Sequence, residues 1–250
     1  MEKIRIGILQ YNIAWEDKEK NKIKILEMVQ NAREKNNFDL LVMPEMTLTG
    51  FSMDKEKTNL NACDIDFFKH LSVKISSVVL FGFVSENKNK CMVFDKDGSM
   101  ITEYSKIHLF SFAGEDKIYR PGSEHKQFSM NGFNALPMIC YDLRFSYLFW
   151  DNAENTDLFI VLANWPASRR NHWITLLKAR AIENQAFIIG VNRIGRDLKL
   201  DYSGDSMIIG PDGSEILNCE NNEGLFTAEL EKHLLLDTRS KFPFLKDRLK

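Results

Sequence analysis

Apolar and polar positions along the chain switch repeatedly between a period of two and a period near 3.6. Ile4 to Gln10 reads as a strand, and Ile25, Met28, Val29 and Ala32 then fall at i, i+3, i+4 and i+7, the stripe of an amphipathic helix. Asp39 to Met43 carries a short continuous apolar run, the mark of a strand covered on both faces. Pro44 ends its ladder because it has no N–H to donate, which leaves Glu45 at the strand's C-terminal edge. Phe67, Phe68 and Leu71 predict a second helix, followed by strands near Val78–Phe83 and Cys91–Asp95, a turn at Asp97-Gly98 and a strand at Met100–Tyr104. Ala135 to Ile139 is another apolar run, closed by Cys140, and an aromatic segment of helical spacing begins between Arg144 and Trp150. Leu158–Ala163 predicts a buried strand, Asn171–Asn184 a helix with Asn171 as N-cap, and Phe187–Val191 a further strand. Met207–Ile209, Glu215–Leu217 and Leu225–Glu229 complete the sheet material. Strands alternating with helices throughout predict an α/β class with helices outside sheets.

Composition narrows the function. At 250 residues, 44% hydrophobic and 27% charged, the chain suits one globular domain over 1–250 and excludes disordered and fibrous classes. Thirty-three basic against 35 acidic side chains, a net charge of -2, argue against a nucleic-acid or membrane-surface partner and favour a small molecule. The opening residues alternate charged and apolar groups where a signal peptide needs an unbroken apolar stretch, and no apolar run approaches the roughly 18 residues of a bilayer span. A cytoplasmic protein is expected. Cys63, Cys91, Cys140 and Cys219 are far apart with no C-x-x-C pair, so four free thiols are expected; five histidines without carboxylates at ligand spacing predict no metal and no cofactor. No repeat is visible at the level of residue identity.

Glu45, Lys106 and Cys140 each stand just past the C-terminal end of an apolar strand, the edge at which α/β sheets gather ligands. Singly, each has a bland explanation: an isolated Pro-Glu pair, a solvated loop lysine, a small core cysteine. Together, in the segments Leu41-Val-Met-Pro-Glu45-Met, Tyr104-Ser-Lys106-Ile-His-Leu-Phe and Ile139-Cys140-Tyr-Asp-Leu-Arg-Phe145, they resemble the nitrilase superfamily of carbon–nitrogen hydrolases. Ala163-Asn-Trp-Pro166, His172-Trp173, Ala179 to Gln185 and Gly204-Asp-Ser206 are similar to its bacterial omega-amidase branch. The resemblance implies a four-layer α-β-β-α sandwich, a homodimer joined through helices near the nucleophile strand, and a catalytic triad at Glu45, Lys106 and Cys140. It places a second glutamate of the lysine loop on Glu115, whose alternative is an exposed loop carboxylate beside Asp116 and Lys117.

The chemistry these residue types allow is amide hydrolysis. Glu45 can act as base. Lys106 and the N-terminus of the helix expected after Cys140 would favour the thiolate, and Lys106 with the Tyr141 N–H would receive the oxyanion. Glu115 would orient Lys106 or the amide. A papain-like pairing of Cys140 with His108 or His172 is the rival constellation. Trp165 and Phe51 could line a narrow substrate slot, with Arg169, Arg170 or Arg144 as carboxylate anchors; for Arg144 the alternative is a buried ion pair with Asp142. Ser146 stands where the family has proline and could cap the same turn, and the Thr47-Leu-Thr tract is expected at the pocket mouth. The function implied is release of ammonia from the terminal amide of a small 2-oxo acid, 2-oxoglutaramate or 2-oxosuccinamate, through a cysteine thioester. Alternatives are another amidase of the family, of carbamoyl or deaminated-glutathione type, and a catalytically silent binding scaffold.

Overall fold

The computed structural model describes residues 2–33 and 37–248. In chain order it forms β1 (Lys3–Gln10), α1 (Lys18–Arg33), β2 (Leu40–Val42), α2 (Lys55–Thr58), α3 (Ala62–Ile75), β3 (Val78–Ser85), β4 (Lys88–Phe94) and β5 (Met100–Ser105). Next come α4 (Glu115–Ile118), β6 (Phe128–Met130), β7 (Phe133–Ile139), α5 (Ser146–Trp150), β8 (Leu158–Ala163), α6 (Arg170–Asn184) and β9 (Phe187–Asn192). The chain continues through β10 (Ile194–Arg196), β11 (Asp201–Ser203), β12 (Met207–Ile209), β13 (Glu215–Asn218), β14 (Gly224–Glu231) and α7 (Lys232–Lys241).

Two six-stranded sheets result, in the orders β14-β1-β2-β3-β4-β5 and β13-β12-β9-β8-β7-β6. Each has three parallel strands at its centre and antiparallel strands outside them. The apolar runs are continuous because successive side chains serve opposite faces. Leu40 and Val42 join a core between the sheets with Ala135 and Ile139, while Leu41 and Met43 pack outward with Ile25, Val29, Phe68 and Leu71 of α1 and α3. On the far side Leu136 and Met138 pack outward against Leu148, Phe149, Trp173 and Leu177 of α5 and α6. The layers are therefore helix, sheet, sheet, helix. No helix among the described residues is long and apolar enough to cross a membrane.

Three local expectations fail. Helix α6 begins at Arg170, with Arg169 in the N-cap position and no side-chain cap, because a 3₁₀ turn at Ala167–Arg169 runs directly into it; Asn171 lies inside its first turn. Ser146 opens α5 without capping it. The Thr47-Leu-Thr tract is buried: the Thr47 hydroxyl donates to the Pro44 carbonyl and accepts from the Gly82 N–H, tying the segment after Glu45 down onto β3.

Candidate active site

The C-terminal ends of β2, β5 and β7 bring Glu45, Lys106 and Cys140 to one place between the sheets. Glu45 follows β2 and is wholly buried. Its backbone passes so close to β3 that a Cβ on Gly82 would lie 2.7 Å from Glu45 Cα and 2.6 Å from the Met46 nitrogen, which only glycine allows. Lys106 Nζ donates to Glu45 Oε1 at 2.9 Å and to Glu115 Oε1 and Oε2 at 3.1 and 2.9 Å. Glu115 is the first residue of α4 and fully buried, so the exposed-loop alternative is overturned. Its carboxylate also accepts the Phe110 N–H at 2.6 Å, closing the lysine loop on itself.

Two asparagines absent from the sequence-based set complete the cluster. Asn89, on β4, donates at 2.8 Å to both Glu45 Oε1 and Glu115 Oε1. Asn164, just after β8, gives its backbone N–H to Glu45 Oε2 at 2.9 Å and its side-chain amide to the Glu45 carbonyl at 2.6 Å. Asn164 had a readable signal, a polar residue at the end of a buried strand like Cys140. Asn89 had none, since it opens its strand where turn residues are ordinary.

Burial alone would lower the pKa of Lys106, but Glu115 and then Glu45 outweigh it and hold the ammonium above its ordinary range. An ammonium has three donors. Its three hydrogen bonds go to Glu45 Oε1 and to the two Glu115 oxygens, so the ammonium is held wholly by these two carboxylates.

Cys140 is half-buried at the start of a 3₁₀ turn, Cys140–Arg144, with φ +45, a left-handed conformation that non-glycine residues adopt only when their surroundings enforce it. Asp142 does the enforcing. Buried in the turn, it accepts the Ile139 N–H at 3.1 Å, the Tyr104 hydroxyl at 2.7 Å and the His108 N–H at 2.9 Å, bracing the nucleophile turn against the lysine loop. The Tyr141 N–H lies before the first bond within the turn, so no carbonyl of the turn takes it. The expected helix after Cys140 is only this turn and the five residues of α5, too little to supply a helix-end field. Burial and the Glu45 charge push the Cys140 thiol well above its ordinary range, with Lys106 opposing them only in part. Lys106 does favour the thiolate, as expected from sequence, but burial and then the Glu45 charge outweigh it.

His108 bonds Asp142 and the Tyr147 hydroxyl and stacks on Phe145, while His172 lies against Arg144. Among the described residues neither histidine hydrogen-bonds Cys140, so the papain-like pairing is not formed. Arg144 makes no ion pair with Asp142; it faces the pocket. Arg170 is committed to Asp205 through a two-point pair at 2.7 and 2.8 Å. Phe51, Tyr141, Trp165 and Arg169 all line the pocket that holds Cys140, a small, largely apolar cleft of about 60 Å³.

A family model for carbon–nitrogen hydrolases matches residues 5–239. The chain belongs to the carbon–nitrogen hydrolase family. It is 36% identical to omega-amidase YafV of Yersinia enterocolitica, over 99% of this chain and 97% of that one. It is 30% identical to the 2-oxoglutaramate amidase of Bacillus subtilis, over 97% and 96%. Among solved structures, it superposes with a TM-score of 0.93, at 28% identity, on a CN-hydrolase superfamily protein of Xanthomonas campestris that carries an arsenic adduct in its active site. That match covers 100% of this chain and 98% of the other. Its four layers are those of this hydrolase family.

Proposed function

We propose that this carbon–nitrogen hydrolase removes ammonia from the terminal amide of a small 2-oxo acid, 2-oxoglutaramate or 2-oxosuccinamate, through a thioester on Cys140. The observation that carries the chemistry is the buried Lys106 ammonium held by two carboxylates, close enough to act on a Cys140 thiol in an enforced left-handed turn. Relatives named for 2-oxoglutaramate and omega-amides support the substrate class.

Glu45 takes the thiol proton as sulfur attacks the amide carbon. Lys106 Nζ and the Tyr141 N–H receive the developing oxyanion, an interaction for which one lost donor typically costs ~10²–10³ in rate. Glu45 then passes its proton to the leaving nitrogen, ammonia departs, and the acyl group remains on sulfur. Water loses a proton to Glu45 as it attacks the thioester, and collapse returns the thiol and the dicarboxylate. Glu115 acts through Lys106, fixing its charge and direction. Glu45 Oε1 accepts from Lys106 and Asn89, whereas Oε2 accepts the Asn164 N–H and keeps a lone pair with which to exchange protons with substrate. We take residues 1–250 as one catalytic domain, acting in the cytoplasm where a thiol nucleophile stays reduced. We place a homodimer contact on α5 and α6, where Tyr147 and Ile182 are about half exposed.

Ammonia release from purified protein over 2-oxoglutaramate, 2-oxosuccinamate, glutamine, carbamoyl amino acids and nitriles tests this directly. The kcat/KM for 2-oxoglutaramate should exceed that for glutamine by at least about tenfold, worth roughly 1.4 kcal/mol, since glutamine's ammonium must be desolvated in an apolar cleft. A preference for carbamoyl compounds, equal rates on all, or no turnover would overturn it.

A further inference from the structure

The pocket beside Cys140 holds two guanidinium groups, Arg144 and Arg169, and among the described residues neither makes an ion pair. Two like charges in a mainly apolar cleft repel each other, and each lacks the carboxylate that a partly buried arginine ordinarily has. Burial lowers the pKa of Arg144; Tyr141 opposes that shift and the charge of Arg169 adds to it.

The arrangement is nevertheless built. The indole of Trp165 is 3% exposed and touches both residues, the guanidinium of Arg144 and the backbone of Arg169. Its face lies under the Arg144 guanidinium, 4.7 Å from ring centre to the central carbon, and its Nε1–H donates to the Arg169 carbonyl at 2.8 Å. Arg144 Nη2 is 3.2 Å from His172 Nδ1, and since arginine can only donate, that nitrogen must be the acceptor. The Arg169 guanidinium rests over Phe110, 5.4 Å from the ring centre. Both cations thus rest on aromatic faces, and Arg144 also donates to the neutral His172 Nδ1, contacts that orient them without neutralising them.

We propose that Arg144 and Arg169 form a two-armed clamp for the single carboxylate of the substrate, set by Trp165 as a positioning residue. The clamp rests on the amidase assignment and extends it to the groups that select an anionic acyl chain. A planar guanidinium pairs with a carboxylate through two parallel bonds, so two of them can engage both oxygens and relieve their mutual repulsion. The amide at the other end of the acyl chain is then directed at Cys140 on the same wall of the cleft.

The test compares kcat/KM for 2-oxoglutaramate and for a neutral aliphatic amide of matching length, in the parent, Arg144→Gln, Arg169→Gln and the double variant. Each single change should lose at least about tenfold more on the anion than on the neutral amide. The double change should lose less than the product of the two, because both arms hold one group. Arg144→Lys and Arg169→Lys, which keep charge and stem, should fall between the parent and the glutamine variants and guard against a folding failure. Trp165→Phe keeps the ring face but removes the N–H, so it should raise KM for the anion and leave kcat nearly unchanged. If the parent prefers the anion and both glutamine variants keep that preference, the clamp is wrong and the amidase assignment stands. If the parent shows no preference for the anion, the 2-oxo acid assignment fails and the clamp with it.

Discussion

Strands β1, β2 and β3 of one sheet and β7, β8 and β9 of the other take the same course, three parallel strands linked by helices on the outer face and continued by an antiparallel pair. Glu45 stands just beyond β2 and Asn164 just beyond β8, and these two positions meet across the sheets, Asn164 donating to Glu45 at 2.9 and 2.6 Å. The halves then diverge. The first supplies Glu45, Asn89, Lys106 and Glu115, all fully buried, with both carboxylates and the ammonium held by partners inside the protein. The second supplies Cys140, Arg144 and Arg169, all partly exposed, with no carboxylate on either arginine among the described residues. The buried charges of the first half are thus paired within the protein, while the two arginines of the second face an open cleft.

The difference can be broken most severely at the nucleophile. Cys140→Ala should lower ammonia release by at least about a thousandfold while the circular-dichroism melt stays unchanged, because a methyl group cannot form a thioester. Activity within tenfold of the parent would mean that Cys140 is not the nucleophile.

Next in size are the two charges nearest the thiol. Glu45→Gln and Lys106→Arg should each reduce kcat by at least about a hundredfold, the first by removing the proton carrier, the second because a planar fork cannot replace a compact ammonium. They should separate on alkylation. Glu45 is one of the groups that raise the Cys140 pKa, and Lys106 opposes it; Glu45→Gln should therefore move the pH profile of iodoacetamide labelling at Cys140 to lower pH even as turnover disappears. A profile moved to higher pH would mean that Glu45 stabilises the thiolate.

Glu115→Ala tests the closed half for stability as well as rate. Removing one of two carboxylates from a wholly buried lysine, and one acceptor from Asn89, should cost about 3 kcal/mol in chemical denaturation. A loss below about 1 kcal/mol would mean that Glu45 alone satisfies Lys106. Gly82→Ala sharpens the point at smaller scale. It adds a methyl group within 2.7 Å of the Glu45 backbone, and should lower kcat by about tenfold through displaced geometry, with KM nearly constant.

Much of this was legible before any coordinates. The apolar runs at β2, β7 and β8 and the reactive residues at their ends follow from local periodicity, and the motifs around Glu45, Lys106 and Cys140 carry the family resemblance. Local pattern could not show that β14, from the end of the chain, pairs along all of β1, because strand partners distant in sequence leave no periodic trace. Nor could it show that Glu115, nine residues from Lys106 and among other charges, turns inward, or that Asn89 joins the two carboxylates. The balance at Cys140 was not legible either, because sequence places Lys106 near the thiol but does not reveal the burial that, with the Glu45 charge, outweighs it.

The most direct test of the covalent route is mass spectrometry of protein quenched in acid during turnover of 2-oxoglutaramate. The account predicts a transient species heavier than the protein by the mass of the substrate less ammonia. That mass should map to the peptide containing Cys140, be lost on hydroxylamine treatment and be absent from Cys140→Ala. Full turnover with no adduct on Cys140 at any quench time, or an adduct on Cys63, Cys91 or Cys219, would contradict it.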